Sequence, residues 1–404
     1  MASNLLTIDQ ITRESLRILH QKLNFVTNIH TEYDDSFAKD GAKIGNSLRI
    51  RLPMQYSTGT GATIATGTGA DSLQNQVTLT VNTQRHVPMR FTSNEMTMKI
   101  DDFSSRHLEP AMAKLAALIE NDALSMANKA TNTVYAGTKV EFGDVMDGRA
   151  KLQNALAPND NRYAIMDPQG MVDLVVDNKS LFNHSGEIGK QYKEGTMGRF
   201  GGFDFYENTM MPAHTSGAEA GAGDYDTNDA TAQEGSYTSP NSWSLTVDTG
   251  TKTIMAGDVV TIADVYEVHP ETKVSTGVLK EFTVLADSGA TATTLTLSPA
   301  LISSGPYKNA SAKAANDKAV TVKGAASTAY KQSLLFQKGF AVFGTADLVL
   351  PKGVMAASRQ NYDGISLRMV QDYDVVKDRI YTRCDVLYGY QVLRPQLATR
   401  ILHT

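Results

Sequence analysis

The sequence predicts an α+β protein in which sheets are laid along one long helix, and three observations predict it. Between Ser104 and Gly137, Leu108, Met112, Leu115, Ile119, Ala123, Met126 and Ala130 recur at the three-and-four spacing that lines one face of an α-helix. On its N-terminal side, Ser47 to Tyr56 (SLRIRLPMQY) and Gln76 to Val81 (QVTLTV) alternate apolar and polar with the period of a half-buried strand. Far downstream, Trp243 to Lys323 is purely β in pattern, with short strands separated by turn signals, as in a small antiparallel barrel or sandwich.

Composition sets the outer limits. At 404 residues the chain is too long for one ordinary core, so two or three domains are expected. A formal net charge of -5 without a basic run excludes a sequence-independent grip on nucleic acid, which needs concentrated Lys and Arg. A protein that faces packaged nucleic acid without holding it tightly remains compatible. Cys384 stands alone, which excludes an internal disulfide and a thiolate metal site. Its setting, DRIYTRCDVLYGY, reads as a strand with the cysteine as a small buried hydrophobe. The start, MASNLLTIDQITRESL, lacks the basic and apolar parts of a leader, and no apolar run reaches about 18 residues. A reducing cytoplasm and no membrane partner are therefore expected.

Taken in order, residues 1–40 read as an N-terminal arm. Leu5, Ile8, Ile11, Leu16, Leu19, Leu23 and Phe25 make a short amphipathic helix that Thr7 or Asp9 would cap. Such a segment docks on its own chain or on a neighbour. Residues 41–100 read as an extended β-hairpin with flanking strands. The Gly-, Thr- and Ala-rich stretch between its strands projects as a long mobile loop. The GTG repeats there are followed by neither Gly-Lys-Ser/Thr nor a helix, so a phosphate loop is rejected.

Residues 101–137 form the spine helix. Ala111, Leu118 and Leu124 widen its apolar stripe, while Lys114, Glu120, Asp122, Asn128 and Lys129 fall on the other side. Pro110 suits the first turn and Gly137 a C-terminal stop. Roughly 28 residues at about 1.5 Å each give a rod about 40 Å long. An ordinary core helix of a globular enzyme is the competing reading.

Residues 138–235 begin an α/β domain. A helix covers Phe142–Ala157 and ends at Pro158, a strand and turn follow, a second helix opens near Pro168, and strand pieces surround Phe203–Glu207. Gly189-Lys190 lacks the upstream glycine of a phosphate loop. From Ala218 the composition turns acidic and linker-like, and residues 236–325 read as an inserted small β-barrel domain. Residues 326–404 return to complete the interrupted domain.

The search for chemistry finds no site. None of the eight histidines has metal-ligand spacing, and His214 reads as a loop histidine bonded to backbone. No GxSxG elbow is present. Asp372, Asp374, Asp378 and Asp385 lie near Arg368, Arg379, Arg383 and Arg394. At strand spacing these read as cross-strand or intersubunit ion pairs, with acid–base carboxylates as the alternative. No catalytic residue, cofactor or metal is predicted.

Three stretches carry a family resemblance: GRFGGFDFYENTMMPAHTSG (198–217), GDVVTIADVYEVHPETKVSTGVLKEFTVLAD (257–287) and DYDVVKDRIYTRCDVLYGYQVLRPQLATRIL (372–402). With the order arm, hairpin, spine, α/β domain, insert and return, the chain resembles the major coat proteins of tailed bacteriophages with the Hong Kong 97 fold. It is most similar to their P-22-type branch, which carries an inserted domain.

The resemblance implies peripheral and axial domains around the spine, and a shell subunit that self-assembles as pentamers and hexamers. It implies an icosahedral procapsid built with a scaffolding protein and a portal protein, which expands around double-stranded DNA bound without sequence specificity. A decoration protein is a further optional partner. The expected location is the virion capsid, assembled in the host bacterial cytoplasm.

By the same mapping the hairpin at 57–75 reaches across a neighbouring subunit. The contact candidates are Thr60, Ile64, Thr68, Asp71, Arg368, Asp374, Asp378, Arg379 and Arg383, with Asp9 and Glu14 facing a basic scaffold. Two other readings stay open: a compartment of the same fold enclosing cargo enzymes, and a two-domain enzyme with a β accessory module.

Overall fold

The computed structural model describes residues 8–34, 47–56, 74–92, 104–177, 198–221, 223–229, 231–248, 250–376 and 379–404. The helices are α1 (Ile8–Lys22), α2 (Glu109–Leu124), α3 (Phe142–Asn154) and α4 (Pro168–Asp177). The strands begin with β1 (His30–Asp34), β2 (Ser47–Arg51), β3 (Gln76–Thr80), β4 (Thr83–Thr92), β5 (Asn132–Tyr135), β6 (Arg162–Met166), β7 (Arg199–Phe200), β8 (Phe203–Glu207) and β9 (His214–Thr215). A second group follows: β10 (Tyr225–Asp226), β11 (Trp243–Thr246), β12 (Val259–Val268), β13 (Ser275–Val284), β14 (Thr294–Ser298) and β15 (Ala319–Val322). The chain closes with β16 (Ala329–Gln337), β17 (Ala341–Ala346), β18 (Ala356–Tyr362), β19 (Ile365–Asp374), β20 (Arg379–Val392) and β21 (Ala398–His403). β2 and β3 pair as a two-stranded sheet. The expected hairpin tip between them, with Thr60, Ile64, Thr68 and Asp71, lies outside the described residues.

The chain divides into two compact units. The first takes Met1–Arg49, Thr78–Leu124 and Ala341–Gln391. Its sheet runs β1-β17-β20-β19-β18, with β4 also on β20. β1 lies parallel to β17, and β4, β18 and β19 join antiparallel. α1 packs on α2, β18 and β19, burying Ile11, Leu16, Ile18 and Leu19 along one stripe. The N-terminal helix thus docks on its own chain.

α2 buries Met112, Leu115, Ile119 and Ala123, the expected stripe. Two expectations about the spine need correction. Helical backbone runs from Ser104, through a π-type turn (Ser104–Leu108) and α2, to a 3₁₀ segment (Ser125–Lys129), and stops there. Thr131, Thr133 and Val134 are β-branched and stiff at χ1, and their segment pairs as β5 with β21 instead of extending the helix to Gly137. Glu120, read as polar-face, is 2% exposed. Its carboxylate accepts the backbone N–H of Phe25 at 2.9 and 3.1 Å and that of Val26 at 3.2 Å, which satisfies a buried charge.

The second unit takes Ile50–Val77, Ser125–Phe340 and Val392–Thr404. Its mixed sheet runs β5-β21-β16-β6-β8-β7, with β9 on the start of β16. α3 packs on β5, β16 and β21. It begins with a capping box in which Glu141 and Asp144 satisfy each other's backbone N–H groups.

A separate antiparallel sheet, β10-β15-β12-β13-β14-β11, occupies the chain between β9 and β16. Its two ends meet. Asp248 N–H donates to Asp226 O at 2.8 Å and Asn228 N–H to Thr246 O at 3.1 Å, which closes a small barrel. Tyr225, Trp243, Leu245, Val260, Ile262, Phe282 and Val320 belong to its own buried core. The short strands expected between Trp243 and Lys323 form as β11 to β15, and the core is built from the inward half of each alternation.

The barrel is seated on the seven-stranded sheet by Glu281 of β13. Its carboxylate takes Lys151 Nζ and Lys323 Nζ, both at 2.7 Å, and the N–H of Thr133 at 3.1 Å. Burial pushes the Glu281 carboxyl up, but Lys151 and Lys323 outweigh it and hold the acid below its ordinary value.

Candidate intersubunit surface

Cross-strand register on the first unit brings the C-terminal charge cluster together. Arg368 stands opposite Asp385, Val370 opposite Arg383, Asp372 opposite Tyr381 and Asp374 opposite Arg379. On the other side of β20, His86 stands opposite Asp385, Pro88 opposite Arg383 and Arg90 opposite Tyr381. Directly opposed residues share a face, so these side chains form one surface across β4, β20 and β19.

Asp385 is the hub of that surface and is fully buried. Arg368 donates to its Oδ2 through Nη2 at 2.7 Å, and Arg383 Nε and Gln84 Nε2 donate to Oδ1 at 2.6 and 3.3 Å. Arg368 also donates through Nη1 to Val349 O at 2.7 Å, so its guanidinium is spent within the chain. Arg383 keeps about half of its side chain exposed (48%), and Arg90 lies over the Tyr381 ring at 5.9 Å. Pro88, Pro351, Val354 and Val370 floor a groove between these cations. The face therefore offers guanidinium groups above an apolar floor, with the acid beneath already neutralised.

At the end of the β19–β20 hairpin, Asp374 Oδ1 accepts the N–H of Val376 at 3.0 Å. The turn holds Val375 and Val376 out at 80% and 90% exposure, with Tyr373 next to them along the chain at 40%. Contiguous exposed apolar groups of this kind mark contact sites. Sequence reasoning listed the charges and missed these valines. The signal was an apolar pair between two charged residues where a turn should be polar. Asp378 lies outside the described residues.

Of the two scaffold candidates, Asp9 accepts a hydrogen bond from Ser358 Oγ on β18, and Glu14 is paired one turn along α1 with exposed Arg17.

His214 is a correction. It lies in strand β9, not a loop, and is 4% exposed with Nε2 2.9 Å from Asp258 Oδ1. The other Asp258 oxygen takes the N–H groups of Met255 and Gly217 at 2.8 and 3.0 Å. The pairing of β9 with Ala329 and Tyr330 draws this histidine inward, where a carboxylate replaces the expected backbone partner. Asp122, read as solvent-facing, is likewise engaged: Arg85 grips it at 2.9 and 3.1 Å and Tyr388 Oη donates to it. Cys384 is buried in β20, and burial pushes its thiol up, away from the nucleophilic form.

Among the described residues, no group of three or more His, Cys, Asp or Glu is placed to hold a metal ion, and no helix is long and apolar enough to cross a membrane.

No curated protein matches the chain. Among solved structures, the capsid of cyanophage P-SCSP1u is similar at 11% identity and TM-score 0.47, over 95% of this chain and 88% of that one. Mycobacterium phage Che8 is similar at 11% identity and TM-score 0.45, over 94% and 90%. The CUS-3 coat protein I-domain shares 28% identity over 26% of this chain and 97% of its own, at TM-score 0.20. The family model described as P22 coat protein, gene protein 5, matches residues 1–401, nearly every element described above. The chain therefore belongs to the P22 coat protein family.

Proposed function

We propose that the protein is a major capsid protein whose copies join as pentamers and hexamers into an icosahedral shell around phage DNA. The family match over residues 1–401 carries this reading. Assembly runs through a procapsid organised by a scaffolding protein, with a portal protein at one vertex, and the shell expands as DNA enters. The role is structural and not catalytic. Its place is the virion capsid, built in the cytoplasm of the bacterial host.

The chemistry of the surface supports the reading. A shell subunit needs heterologous contacts that close under symmetry, with different patches meeting on neighbouring copies. The exposed Val375–Val376 tip and the half-exposed Arg383 are patches of that kind. The net charge of -5 lets DNA pack against the shell without adhering. The hairpin at 57–75, with Thr60, Ile64, Thr68 and Asp71, reaches a neighbour, and Asp374, Asp378, Arg379 and Arg383 edge the same contacts, while Arg368, expected among them, is held within the chain by Asp385 and Val349 O. Asp9 and Glu14 face the scaffold, and the barrel acts as the inserted domain, beginning at β10 upstream of the expected bounds 236–325.

Light scattering with negative-stain microscopy tests the proposal on the protein expressed alone and with a candidate scaffold. Shells, tubes or malformed particles tens of nanometres across are expected. A clean monomer or dimer in both conditions would overturn it.

A further inference from the structure

We propose that a cleft in the second unit, about 350 Å³ in volume, binds a small phosphate monoester carrying a free hydroxyl, of the sugar-phosphate class, with Lys280 Nζ as its anchoring cation. Every residue lining the cleft belongs to that unit, from Leu52 and Asn75 to the β12–β13 hairpin and Arg394.

The first observation is an imbalance of charge. Lys273, Lys280, Lys308 and Arg394 line the cleft against only Glu267 and Glu271. Counted formally, with every lysine protonated as an anionic ligand would hold it, the surplus is two positive charges, which equals the charge that a phosphate monoester approaches near neutral pH.

The second is Lys280 itself. It is 8% exposed, and among the described residues its ammonium group makes no hydrogen bond or salt bridge, only a contact with the Phe282 ring at 5.8 Å. Its neighbour in sequence, Glu281, points to the opposite face of β13 and takes two lysines at once. Glu267 and Glu281 act on Lys280 only from a distance, and a buried cation with no carboxylate in direct contact is costly, so structures retain one where something pairs it. Arg394 repeats the pattern, with no side-chain hydrogen bond among the described residues. Burial lowers the basicity of Lys280, Lys273 and Arg394 alike. A lysine can escape by losing its proton, but a guanidinium cannot.

The third is Asn75. It is 4% exposed, its Oδ1 has no donor, and it lines the same cleft. An unfilled acceptor in a cationic cleft calls for a ligand that brings a hydroxyl with its anion. Apolar walls from Pro53, Ile302 and Leu397 leave room for the body of such a molecule.

Isothermal titration of the unassembled full-length chain tests the site, with ribose 5-phosphate and inorganic phosphate as probes and sodium chloride matched for ionic strength. Saturable binding is expected, at least tenfold tighter for ribose 5-phosphate than for inorganic phosphate. Lys280→Met should weaken both at least tenfold, while its melting temperature without ligand equals or exceeds that of the wild type, because the change removes an unpaired buried charge. Arg394→Gln provides a second variant and should weaken both at least threefold. No saturable binding, equal affinity for the two probes, or full affinity in Lys280→Met would each overturn the proposal.

Discussion

The backbone N–H groups of Phe25 and Val26 both end on the buried carboxylate of Glu120. Glu120→Ala leaves two buried donors unsatisfied, so a loss of about 2–4 kcal/mol is expected in urea unfolding. Glu120→Gln, which keeps one acceptor oxygen, should lose less. Glu281 gives a pH signature. Its carboxyl titrates lower in the folded protein than in the unfolded chain, so the stability it contributes is present above the unfolded value of about 4.3 and is lost as pH falls through the folded value. Thermal melts should therefore decline on acidification below that point, and Glu281→Gln should flatten the decline while lowering stability near neutral pH. Neither role was legible beforehand. Periodicity sorts side chains by polarity and places Glu120 on a wet arc, but its partners lie 94 and 95 residues away in sequence. His214 failed for the same reason: the residue type was visible, and the carboxylate that claims it was not.

At the scale of elements, most of the fold could be read directly. α3, the opening of α4 at Pro168, β8 and the five strands from β11 to β15 follow from alternation, caps and turn residues close at hand. The spine was overextended because an apolar stripe continues past Lys129 into β-branched residues, and a parallel partner, β21, decides for the strand. Most of the charge cluster was legible as a set of residues, since strand spacing puts Arg368, Asp372, Asp374, Arg379, Arg383 and Asp385 on one face, whereas Arg394, counted with them, lies past the end of β20 in the second unit. Its hub was not, because burial of Asp385 depends on β4 arriving from far upstream. Close approach between elements gives a further test. A Cβ on Gly389 of β20 would lie 2.1 Å from the Thr80 carbonyl oxygen at the end of β3. Gly389→Ala should therefore cost about 3 kcal/mol in chemical denaturation, as overpacking against backbone has no rotamer to relax into.

For the whole molecule, the useful distinction is between surfaces that hold one copy together and surfaces kept for other copies. Val375 and Val376 support little in their own chain, so Val375→Asp with Val376→Asp should change monomer stability by no more than about 0.5 kcal/mol. The same pair should abolish particles in sedimentation if the tip seats on a neighbour. Normal particle yield would assign the tip no part in assembly. The connection between barrel and sheet carries another consequence. Ser216 N–H bonds to Thr328 O, Ser327 N–H bonds to Gly217 O, and β9 pairs with the first residues of β16. The entire barrel thus fills the position that a reverse turn would occupy between two antiparallel strands. A lineage could gain or shed such a module through a single recombination between adjacent points, without rethreading the chain that surrounds it.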